Sequence, residues 1–110
     1  MSVTLLNSHQ DIIAVVMGDL TLSTLDSVLP VFIDISQDAK QDVTLDLSSV
    51  AVIDAAAIGL IIALNQRLVS SGRALTLLCP PGQPRGLLSL VGLDSQVKMI
   101  ETYAPGPAVH

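Results

Sequence analysis

Hydrophobic positions along the chain follow two rhythms. Ile12 to Val16 is a short apolar run bounded by Asp11 and by Gly18-Asp19, the pattern of a buried strand. Val3 to Leu6 predicts a strand before it, joined through the polar Asn7-Ser8-His9-Gln10. Val43 to Leu47 alternates Val, Thr, Leu, Asp, Leu, which predicts a strand with two differing faces. Ala74 to Leu78 reads as a buried strand and Val97 to Ile100 as an edge strand. Between these, Leu25, Val28, Leu29, Phe32 and Ile35 or Ser36 recur at helical spacing within Ser23 to Lys40. Pro30 constrains that helix, because an interior proline removes a hydrogen bond and crowds the preceding turn. A start near Asp26 or Ser27 puts it in the tolerant first turn and is the favoured reading; a longer, kinked helix is the alternative.

Ala55 to Leu68 predicts a second helix of high intrinsic propensity, with Asp54 as its N-cap and Ser71-Gly72 as its end. Pro80-Pro81-Gly82 makes a turn, and Pro84 to Val91 predicts a third helix ending at Gly92. The order strand, strand, helix, strand, helix, strand, helix, strand implies one α/β domain with a mixed, largely parallel sheet. Residues 1–103 form that domain, and the tail 104–110, with Pro105 and Pro107, is expected to be disordered.

Composition sharpens the picture. Half the residues are hydrophobic, yet only Phe32 and Tyr103 are aromatic, so the core is built from Leu, Ile, Val and Ala. Charged residues make up 14 %, which argues against disorder and leaves part of the surface apolar, as a partner-binding domain requires. The net charge of −5 opposes nucleic-acid binding, which needs clustered cations, and docking on an anionic membrane. The longest strongly apolar run, Ala55 to Leu64, is about half of the ~20 residues that span a bilayer, so direct membrane insertion is not expected. No basic-then-apolar leader opens the chain, and the lone Cys79 cannot form an internal disulfide. Together these features favour the cytoplasm.

Candidate chemistry is sparse. His9 and His110 are the only histidines and have no cysteine or second histidine at ligand spacing, so no metal site is expected. Only His9 is placed to serve a Ser/His/Asp set, and residue order alone does not make one. Cys79, at a strand end beside two prolines, reads as a small core residue. Neither a GxxxxGK[ST] nor a GxGxxG loop is present, and Gly82 to Gly86 reads as a turn with a helix start. Asp42, Asp46 and Asp54 do not follow calcium-loop spacing. Asp46 is suited to satisfy backbone groups at a strand end, and Asp54 to cap a helix. No catalytic residue and no cofactor follow from these residues.

The segment Val43 to Leu60 resembles the signature of the STAS domain, a family named for sulfate transporters and anti-sigma factor antagonists. In that family a strand ending Asp-Leu-Ser leads to Asp-Ser-Ser-Gly-Leu-Gly at a helix start. Here Asp46-Leu47-Ser48 matches the first part, and Asp54, Ile58 and Gly59 match the second. Gly18-Asp19-Leu20 is similar to the family's Gly-Glu-Leu turn, Ser71 to Leu75 to its helix-to-strand turn, and Leu87 to Leu93 to its leucine-rich helix. The resemblance runs from Val3 to Thr102 and keeps the order of every element. It implies a four- to five-stranded sheet with helices largely on one face, and a non-enzymatic bacterial signalling protein acting in transcription regulation.

In the antagonist branch the serine after the aspartate is phosphorylated by an anti-sigma kinase, which releases the partner. The matching position here is Ala55, followed by Ala56 and by Ala57 in place of the family's glycine. Without a hydroxyl at that position the family's switch has no substrate. Thr21 stands where the family often has an aspartate. The resemblance implies a partner surface of Gly18, Asp19, Thr21, Ser23, Ser48, Asp54, Ala55, Ala56 and Ile58, binding an anti-sigma factor or serine kinase-type regulator without the serine switch. An accessory subunit of a lipid-trafficking ABC transporter, docking the transporter ATPase, is the alternative. A small-ligand or nucleotide sensor is a third reading. An exposed edge at Val3 to Leu6 or Val97 to Ile100 would also allow homodimers.

Overall fold

In the computed structural model, which describes residues 2–7, 11–38 and 40–102, the chain forms a five-stranded sheet in the order β1-β2-β3-β4-β5. The strands are β1 (Ser2–Asn7), β2 (Asp11–Met17), β3 (Asp42–Ser49), β4 (Leu75–Leu78) and β5 (Lys98–Ile100). The first pair is antiparallel and the other three pairs are parallel. Three helices, α1 (Leu25–Asp38), α2 (Ala55–Ser70) and α3 (Gln83–Leu90), make the crossovers, with a 3-10 turn at Leu93–Ser95 before β5. The predicted α/β architecture and element order are therefore present. His9, Tyr103, His110 and the expected tail 104–110 lie outside the described residues.

Each parallel crossover moves one place in the same direction across the sheet. Because such crossovers are right-handed, all three helices fall on one face. The burial pattern agrees. Ile12, Ala14 and Val16 of β2, Val43, Leu45 and Leu47 of β3, and Leu75 and Leu77 of β4 lie in the core with Phe32 of α1, Ile61 of α2 and Leu88 of α3. Ile13 and Val15 alternate with them and are only half-buried, so β2 is two-faced rather than buried throughout as its apolar run predicts. A one-residue slip would turn β2's core set to the open face, which is why this register is well specified.

The start of α1 differs from the favoured expectation. The helix begins at Leu25, after a tight turn in which the Thr24 and Ser27 amides donate to the Thr21 and Thr24 carbonyls at 2.9 and 3.1 Å. Pro30 therefore sits in the second turn. It forfeits one intrahelical bond to the Asp26 carbonyl, on an exposed stretch where water can take that acceptor. At the other end, buried Arg73 crosses from the start of β4. Its Nε donates to the Gln41 carbonyl at 2.7 Å and an Nη to the Ile35 carbonyl at 3.0 Å, supplying donors that the last turn of α1 lacks. Helix α2 ends as expected: Gly72 follows its C-cap Ser71 with φ of 76°, a backbone state that favours glycine.

Candidate functional site

The C-terminal ends of β2 and β3 carry the predicted partner surface. Gly18, at φ 99°, turns the chain out of β2. Leu20 then returns to the core and rejoins the loop after β3, its amide donating to the Val52 carbonyl at 3.0 Å in an isolated parallel bridge to Ile53. The hydroxyls that follow are spent locally. Thr24 Oγ1 accepts from the Thr21 amide at 3.0 Å and donates to the Asp19 carbonyl at 2.9 Å, while the Thr21 and Ser23 hydroxyls lie 3.0 Å apart. Together they close the turn that launches α1.

Asp54 joins this turn to α2. Its Oδ1 accepts from the Ala57 amide at 3.1 Å, the expected N-cap, and its Oδ2 accepts from the Leu22 amide at 2.9 Å. These donors, Leu22 first, stabilise the charged form and hold the carboxyl below its ordinary range. One carboxylate thus caps a helix and pins the preceding loop beside it. Ala55, the first helical residue, is exposed and Ala56 half-buried. Ala57 lies fully in the core. Ile58, read from the sequence as part of the contact surface, is 8 % exposed and packs in the core instead, because the helical turn carries it inward. Ser48 stays exposed at the end of β3, its amide and hydroxyl donating to Asp46 Oδ1 at 2.9 and 2.5 Å.

Two contributors were not legible as such. Leu22, 72 % exposed, and Val52, 42 % exposed, place apolar side chains on the loops that flank the α2 start. The only sequence signal for Leu22 is an apolar residue set in Thr-Leu-Ser-Thr. Gln83, the first residue of α3, spans 30 positions to clamp Ile53: its Oε1 accepts from the Ile53 amide at 2.9 Å and its Nε2 donates to the Ile53 carbonyl at 3.0 Å. In the parallel bridge Leu20 turns its own N–H toward Val52, which leaves the N–H and C=O of Ile53 aimed at the opposite side. Strand β4 pairs only as far as Asp46 with Leu78, so the Gln83 amide fills the place of a missing strand.

Cys79 is buried, and burial pushes its thiol above the ordinary value while the Arg85 guanidinium opposes the shift. It is held as a thiol and serves packing. Among the described residues no three His, Cys, Asp or Glu side chains gather as a metal site, and no helix is long and apolar enough to cross a membrane.

No curated protein matches the sequence. Among solved structures, a candidate anti-sigma factor antagonist from Thermotoga maritima superposes with a TM-score of 0.84 at 25 % identity, covering 91 % of this chain and 86 % of that one. An anti-sigma factor antagonist from Mycobacterium paratuberculosis gives 0.85 at 16 % identity, over 92 % and 86 % of the two chains. The phosphorylated form of the Bacillus cell fate determinant SpoIIAA gives 0.70 at 14 % identity, over 98 % and 96 %. The family model described as the STAS domain matches residues 4–105, so that with its crossover order and one-sided helix layer the chain belongs to the STAS domain family.

Proposed function

We propose that this chain is a non-enzymatic docking module that binds an anti-sigma factor or serine kinase-type regulator through the Gly18–Ser23 loop and the start of α2, and that it does so without a serine switch. The observation that carries this reading is the Asp54 clamp. It holds exposed Leu22 against a helix start whose first side chain, Ala55, is small and uncharged. Apolar side chains on a pre-organised loop contribute to binding without first paying to be ordered. Thr21, Ser23 and Ser48 use their hydroxyls in local bonds, which supports a framework role for them. The kinship with anti-sigma factor antagonists supports the partner class.

The test uses the purified chain and the anti-sigma factors encoded in its own genome, with binding measured by calorimetry. The wild type is expected to bind one of them, and incubation with a kinase partner and ATP to leave the chain unmodified. Ala55→Asp is expected to weaken binding at least tenfold, by analogy with the charge a phosphate would add. An acid in the first turn favours the helix dipole, so this loss would not reflect unfolding. Binding to none of these regulators, binding undiminished by both Ala55→Asp and Leu22→Asp, or phosphorylation at Thr21, Ser23 or Ser48 would refute the proposal.

A further inference from the structure

The outer side of the helix layer carries a feature remote from Ala55. Helices α1 and α2 each lead from the end of one parallel strand to the start of the next, so they run in the same direction side by side. A cavity of about 150 Å³ opens between them. Leu29, Phe32 and Ile33 form its α1 wall, and Leu60, Ala63 and Leu64 its α2 wall. Leu29 and Ile33 are 41 % and 38 % exposed, so the trough is open to solvent. On both helices the lining positions recur at i, i+3, i+4 and i+7, which brings Ser36 and Arg67 to the same end. That end lies about 18 Å along α2 from Ala55 at 1.5 Å of rise per residue.

The arginines of this acidic chain are otherwise occupied. Arg73 donates to the Gln41 and Ile35 carbonyls, and Arg85 donates to the Cys79 carbonyl at 2.9 Å and approaches Glu101 at 3.8 Å. Among the described residues the Arg67 guanidinium has no hydrogen bond and no ion pair, and no acid lines the trough. Ser36 offers no free donor to compete with it, since its hydroxyl donates to the Ile33 carbonyl at 2.8 Å. An apolar trough ending on one guanidinium that has no partner among the described residues selects an occupant with an apolar body and a single anionic end. A cation would be repelled by Arg67. A polyanion would find a single cation among the lining residues and no partner for its remaining charges. A closed apolar cavity of about 150 Å³ holds benzene in another protein, so the walls of this open trough contact a body of about six carbon atoms and leave a longer one in solvent.

We infer that the α1–α2 trough binds a small amphiphilic carboxylate of the short-chain fatty acid class, its tail between Ile33 and Ala63 and its carboxylate on Arg67. The guanidinium fork matches a carboxylate in two parallel hydrogen bonds, which a neutral head group cannot reproduce. The test is an amide NMR titration of the full chain with sodium hexanoate, and with 1-hexanol as the uncharged control. Saturable shifts are expected within residues 29–36 and 60–67. Arg67→Gln is expected to weaken hexanoate about two- to fivefold, as loss of an exposed charge-assisted pair implies, and to leave hexanol unchanged. Arg67 also lies in the last turn of α2, so a thermal melt of the variant confirms that it stays folded. Ala63→Phe fills the trough and is expected to abolish both ligands. The inference is overturned by absence of saturable shifts in the wild type, by shifts centred on Leu22 and Ala55, or by equal hexanoate affinity in wild type and Arg67→Gln. Concentration-dependent shifts of the trough without ligand, marking a second copy of the chain as its occupant, would overturn it too.

Discussion

Replacing Gln83 with methionine would test how the docking surface is held. Methionine keeps the length and most of the stem of glutamine, so packing at the start of α3 is little changed. What it removes is the amide, and with it both bonds to Ile53, whose amide and carbonyl point away from their bridge to Leu20. Each such bond contributes a net ~1 kcal/mol, and stranding two backbone groups of a buried residue brings the expected loss to about 2–3 kcal/mol. At roughly 4–8 °C per kcal/mol for a domain of this size, the melting temperature should fall by about 8–24 °C. Thermal unfolding by circular dichroism reads that number. Amide exchange reads its location: the Ile53 amide should lose protection first, followed by Asp54 and Leu22, while amides in the centre of β3 change only with global stability. A fall under about 2 °C with Ile53 protection intact would refute the reasoning, because water would then be replacing the clamp at no cost.

Two further perturbations test other long-range bonds. Arg73→Met leaves the Ile35 and Gln41 carbonyls without their charged donor and should destabilise the domain by about 2–4 kcal/mol, checked by urea unfolding; a loss below about 0.5 kcal/mol would show that solvent reaches the end of α1. Asp54 is held below its ordinary value of 3.8, so its contribution is complete above that value and is lost as the pH falls through its lower folded value. In Asp54→Asn, which keeps the cap's shape, the stability gap to wild type should therefore narrow as the pH falls from 3.8 through the lower folded value, as followed by thermal melts; a gap that stays constant would place the effect in geometry and not in charge.

The sequence carried most of the fold because its elements are locally determined. The alternation in Val43 to Leu47, the alanine-rich run behind Asp54 and the glycine after Ser71 each specify a structure through nearest neighbours. Their joint order was enough to imply a mixed, largely parallel sheet, and the family resemblance implied its one-sided helices. Asp54 was legible as a cap for the same reason, since its bond to Ala57 spans three residues. Pro30 was misplaced by a turn because propensity sees the lost hydrogen bond, whereas the helix start is decided by the Thr21–Thr24 turn docked beside Asp54.

What the sequence did not show is the part of the site made by contacts across the fold. The Leu22–Asp54 and Gln83–Ile53 bonds span 32 and 30 positions, and no spacing rule marks either. Ile58 was assigned to the surface because a linear motif does not record which way each side chain turns on a helix. These long-range bonds also bear on the missing serine. The loop and the helix start are fixed to each other by a carboxylate and to the third helix by an amide, none of which involves the side chain of residue 55. Ala55 can therefore stand in place of a hydroxyl without loosening the surface around it. Residue 55 is exposed at the helix start, and a hydroxyl there would add nothing to the bonds that hold the scaffold.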